Sequence, residues 1–240
     1  LSFASKKSRK LNLTAARSTN VQTAIIRKDL MRFIGSPVYL TNMGLGILFS
    51  LVLAVCGVIF KDKVNSLLQL TMLPEETKPL IICAMLSFLI STMSISAPSV
   101  SMEGKNLWIL KSLPLNAWQI LQSKLNMHLL LTIPVISLTG LVLAITYGCS
   151  PLNTLFCLLI PALMCILSGL LGMITGTKWA NFDYQNDVYP CKQSIFVAIT
   201  MFGMMGLSLA LGLLYGYVLY EHISATTFLA LSSGILLLLC

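Results

Sequence analysis

The sequence predicts an all-α membrane protein: six transmembrane helices, an amphipathic N-terminal interfacial helix and one short cytoplasmic helix. Three observations predict it. Of the 240 residues 56% are hydrophobic and only 10% charged, where a water-soluble domain carries about a quarter charged residues. Uncharged windows long enough for a helical crossing, about 20 residues, recur at 38–60, 80–101, 125–147, 152–176 and 194–220, with a shorter one at 224–240. None of them alternates as a membrane β-barrel strand would, and backbone groups in lipid must pair within their own segment, so helices are the spanning structure.

Residues 1–36 read as a basic cytoplasmic tail ending in the interfacial helix, and 37–240 as the transmembrane domain. Between Val21 and Ile34, Ile26, Leu30 and Phe33 recur at helical spacing, while Arg27, Lys28, Asp29 and Arg32 fill another face. That pattern predicts a helix lying in the membrane interface. Ser36-Pro37 ends it, because the residue before proline avoids the α region. The chain opens on Leu1, and no apolar run before residue 38 could serve as a cleavable signal, so the first span is expected to be its own insertion signal. The last window stops at Cys240, and the sequence reads either as a piece of a longer chain or as a subunit of half length.

Charge sets the orientation. Eight of the sixteen Lys and Arg precede residue 38, which puts the N-terminus in the cytoplasm. Lys105, Lys111, Lys124, Lys178 and Lys192 then fall on inner loops and only Lys61, Lys63 and Lys78 on outer ones, so the loop from Lys61 to Pro79 is predicted to be extracellular. The net charge of +8 belongs to these flanks and to anionic lipid, and no nucleic-acid partner is expected.

The inner stretch from Ser101 to Lys124 predicts a short helix over 103–112, with Glu103 near its N-terminus and Lys111 near its C-terminus. Pro114 prevents continuation. Asn116 and Gln119 match a capping box that starts the helix of the third span. A short helix braced against a span moves as a unit when pushed.

Within the spans, Ser87, Ser91, Ser94 and Ser101 share a face of the second window with Pro98 among them, and they either line a translocation path or bond within the bundle. Gly172 with Gly176, and Gly212 with Gly216, are small-xxx-small pairs suited to close helix packing. Pro134 and Pro161 predict kinks. The seven cysteines lack metal or redox spacing and read as small buried hydrophobes. No G-x-x-x-x-G-K-[ST], H-E-x-x-H or G-x-S-x-G occurs, and every Asp and Glu lies outside the windows. No catalytic residue, metal site or cofactor bound by this chain is therefore expected.

E-G-K-N-L-W-I-L-K-S-L-P, residues 103–114, resembles the cytoplasmic loop of integral-membrane subunits of type-2 ABC exporters, especially bacterial permeases of double length. I-I-R-K-D-L-M-R-F-I-G-S-P-V-Y-L-T-N, residues 25–42, looks like the entry of a six-span half, and K-Q-S, residues 192–194, like the start of the fifth span. In the loop before that span Thr177 stands where the family pattern has Pro, and the run from Trp179 to Cys191 departs from it. The resemblance implies a permease of the plasma membrane with an ABC ATPase subunit as partner, ATP and Mg being held there. It also implies a second six-span half or a homodimer partner. Glu103, Gly104, Lys105, Trp108, Lys111 and Pro114 would form the surface coupled to the ATPase. Readings from other classes are a non-transporting scaffold or immunity subunit and an intramembrane enzyme.

Overall fold

The computed structural model describes residues 21–70, 74–112, 114–184, 188–192, 194–219 and 222–240, and among these every regular element is helical. Helix α1 (Val21–Gly35) ends where expected. Ser36 is extended, its Oγ accepts the Tyr39 N–H, and Pro37 opens α2 (Pro37–Ile59), a position where the missing proline N–H costs nothing. The next connection is not a plain loop. It folds into α3 (Lys61–Leu70), with Asp62 in its first turn.

The second window is broken. α4 (Lys78–Ser91) stops, residues 92–95 leave the helix, and α5 (Ser96–Ser99) resumes for one turn. Pro98 supplies a reason: its ring has no N–H to give the carbonyl four residues back, at Ser94, and crowds it. The Tyr39 hydroxyl donates instead to the Ile95 carbonyl within the break, at 2.7 Å. α6 (Leu107–Ser112) follows, then α7 (Ala117–Thr146), where Gln119 Oε1 accepts the Asn116 N–H at 3.2 Å. Ser150 caps α8 (Pro151–Lys178), and after the short α9 (Val188–Lys192) comes α10 (Ile195–Leu213), which runs on as a π-helical turn through Leu219. Ser224 caps α11 (Ala225–Leu239).

Among the described residues five helical segments are long and apolar enough to cross a membrane. The sixth window forms α11, whose 15 residues fall short of a full crossing. α8 is the central post, packed on α4, α5, α7, α10 and α11. Its approach to α5 is close because Gly172 and Gly176 have no side chains: a Cβ at Gly172 would overlap Ser96 Oγ, and one at Gly176 would overlap the Ala97 carbonyl. Gly140 does the same for α7 against α8, where a Cβ would sit 2.7 Å from the Cys157 carbonyl. Gly212 and Gly216, in contrast, face open space within the chain.

Candidate functional site

At one end of the bundle the polar chemistry is concentrated, and it begins with α1. Asp29 is buried between Ile25 and Phe33, one turn to either side on the same face. The charged residues of α1 therefore do not share one face apart from the apolar stripe, contrary to the sequence pattern, and Val21, Met31 and Ile34 are exposed apolar residues on the helix. A buried carboxylate needs a buried cation, and Lys124 of α7 provides it.

The Lys124 side chain is 2% exposed. Its ammonium donates to Asp29 Oδ2 at 3.0 Å, to Glu103 Oε1 at 2.7 Å and to the Ser99 carbonyl at 2.9 Å. Those three partners use all three of its donors. Glu103 also accepts from Lys28 Nζ at 2.7 and 2.9 Å and from Arg32 Nη1 at 3.2 Å, while Lys28 Nζ lies 3.4 Å from Asp29 Oδ1. Lys28 and Arg32 reach the surface, whereas Asp29, Glu103 and Lys124 do not. The network thus joins α1, the end of the broken second span and the start of α7 into one body. With its donors saturated, Lys124 positions these segments rather than reacting.

Glu103 is accordingly not the first residue of the short helix. Ser101–Asn106 form a 3-10 segment in which Gly104 takes φ 51° and ψ −134°, and α6 begins only at Leu107. Positive φ is open to glycine and strained for side-chain-bearing residues. Space is short there too, since a Cβ on Gly104 would stand 3.1 Å from Tyr184 Oη. The segment after α8 braces this turn: the Tyr184 hydroxyl donates to the Met102 carbonyl at 3.0 Å, and the Asn181 N–H to Ser101 Oγ at 3.1 Å.

From the braced turn α6 projects outward. Trp108 is 67% exposed, Trp118 at the start of α7 is 69% exposed, and Pro114 is exposed at the bend between them. Of the residues singled out in this stretch, Glu103 and Gly104 are inside the turn while Trp108 and Pro114 are on the surface. The side chains of Lys105 and Lys111, like residues 1–20, lie outside the described part of the structure.

Ser87, Ser91 and Ser94 are all buried within the bundle. The break at 92–95 takes Ser94 off the helical face it was predicted to share, and Ser91 Oγ donates to the Phe88 carbonyl of its own helix at 2.6 Å. Ser87 borders a cavity of about 30 Å³ together with Ser208 and Ser232, room for about one water. His128 is fully buried in α7, its Nε2 3.2 Å from the Cys165 carbonyl. Among the described residues no group of three His, Cys, Asp or Glu could hold a metal ion.

Sequence reasoning missed Asp29, Lys124, Asn181 and Tyr184. Asp29 carried a usable signal, since Ile25 and Phe33 bracket it at four-residue spacing on a buried stripe. Lys124 carried none that separates it from a topogenic cation.

Fold and site together define a multi-pass α-helical membrane protein with a braced, aromatic-tipped element at one end. Over residues 1–240 the chain matches the model of a family described as "Membrane protein of 12 TMs", and it belongs to that family. No curated protein and no solved structure matches it.

Proposed function

We propose that this chain is the permease subunit of an ATP-binding-cassette exporter, moving its substrate across the plasma membrane with energy from a separate ATPase subunit that binds ATP and Mg. The observation that carries the reading is α6: an exposed tryptophan on a short helix whose base is tied, through Gly104 and Glu103, to Lys124 in a long span and Asp29 on α1. A push on Trp108 would reach α7 and α1 with little loss, because breaking buried ion pairs is costly. The match of residues 103–114 to the cytoplasmic loop of type-2 exporters supports the same assignment. On this reading the Trp108 end and the N-terminus face the cytoplasm, and the chain itself hydrolyses nothing.

The family description counts twelve spans, and the reading calls for a second set beside this one, supplied by another half or another copy. Outward-facing Phe202 and Leu213 of α10, with the exposed Gly216 beyond them, form a face suited to that contact.

Two variants test the coupling role in the complex reconstituted with its ATPase. Trp108→Ala removes the projecting side chain, and Gly104→Pro forces a fixed φ of about −65° on a residue at φ 51°. Both are expected to insert normally and retain ATP hydrolysis while losing transport. Wild-type transport by both would overturn the assignment.

A further inference from the structure

The end of the bundle opposite the charged network contains a cleft of about 200 Å³, enclosed by α2, α3, α4 and α7. Leu53, Phe60, Val64, Leu68 and Met85 give it walls of carbon, and Lys78 stands in its lining. We propose that this cleft is a binding site for one phospholipid, its acyl chain lying along these walls and its phosphate on the Lys78 ammonium.

Water does not suit the space, because an ordered water needs two to four polar partners and the walls offer almost none. A bilayer places hydrocarbon against headgroups at the ends of spans. The cleft lies there, between the last turns of α2 and α7 and the first turns of α4. α3 forms a strap along one side: Val64 and Leu68, one turn apart, face inward, while Leu67 is exposed. Lys61, Lys63 and Lys78 stand at this end, with Asp62, Glu75 and Glu76 among them. Lys78 lines the cleft and carries one carboxylate, from Glu75 on an exposed turn, and an ammonium has three donors to share. Lys63 Nζ lies 5.7 Å from the centre of the Phe60 ring, itself a wall residue. A phosphodiester with a hydrocarbon tail matches this pairing of a carbon-lined slot with a lysine at its mouth. The inference does not depend on what drives the protein.

Native mass spectrometry of the purified full chain after exhaustive detergent exchange reads the site directly. The wild type is expected to retain one phospholipid. Val64→Trp and Met85→Trp, which fill the cleft, should retain it at least about tenfold less, as should Lys78→Gln to a smaller extent. Leu238→Trp, at a position of α11 where the side chain is 89% exposed, should match the wild type. Equal retention in the cleft-filling variants, or a wild-type adduct that proves to be fatty acid or detergent, would overturn the proposal. Should the variants fail to fold, wild-type protein in vesicles of a phospholipid with a photoreactive acyl chain gives the same answer. Adducts concentrated at 64–68 and 81–85 support the site, and adducts spread evenly over the α10 and α11 faces overturn it.

Discussion

Replacing Lys124 with methionine isolates the contribution of the buried network. The substitution keeps the length and apolar stem of the side chain and removes the ammonium. Asp29 and Glu103 then lose contacts of 3.0 and 2.7 Å, and the Ser99 carbonyl loses one of 2.9 Å. The two carboxylates do not suffer equally. Glu103 retains Lys28 and Arg32, whereas Asp29 is left with only the longer contact to Lys28 at 3.4 Å. Removing one member of a buried ion pair typically costs about 3–5 kcal/mol, while removing the charge on both sides costs far less. Lys124→Met should therefore destabilise the protein by about 3–5 kcal/mol. Asp29→Asn added to it should recover the larger share, and Glu103→Gln the smaller. Equilibrium unfolding of these three variants, of Asp29→Asn and Glu103→Gln alone, and of the wild type in mixed micelles measures each step as a double-mutant cycle. A Lys124→Met protein within about 0.5 kcal/mol of the wild type, or rescue by Glu103→Gln in preference to Asp29→Asn, would refute the reasoning.

Other outcomes follow from the same geometry. Gly104→Ala should cost about 1–3 kcal/mol, since it places a side chain at positive φ against Tyr184; Tyr184→Phe, which removes the hydroxyl but not the ring, should cost less in the same unfolding assay. Gly172→Leu and Gly176→Leu should destabilise the folded chain by at least about 1–3 kcal/mol, because neither site has room for a Cβ. Gly216→Leu should leave that stability unchanged and instead weaken association with a second set of spans, read by cross-linking in the membrane. For orientation, a cysteine at Ser66, exposed on α3, should react with an impermeant maleimide on intact cells; protection there would invert the assignment of ends.

Periodicity and hydropathy made the long helices legible nearly to the residue: the window 38–60 became Pro37–Ile59 and 152–176 became Pro151–Lys178. Those signals are local, carried by apolar run length and by caps such as Ser36 and Ser150. The break in the second span was less visible, although its cause is local too, because Pro98 acts one turn upstream in a stretch that stays apolar throughout. α3 was hidden by its polarity. The charged network was hidden by distance in the chain, since Asp29 and Lys124 are 95 positions apart; the stripe of Ile25 and Phe33 marked Asp29, but Lys124 alone resembles an ordinary flanking charge. Trp108 and Gly104 were singled out by resemblance to a family loop; only the fold shows that one projects and the other turns the chain beneath it.

On the proposed function a nucleotide-hydrolysing companion pushes on α6. A photoreactive amino acid in place of Trp108, activated in native membranes, tests it most directly. One dominant adduct is expected, an ABC ATPase subunit, whose yield changes when ATP is bound. Purified protein that transports with no companion captured at that position would contradict it.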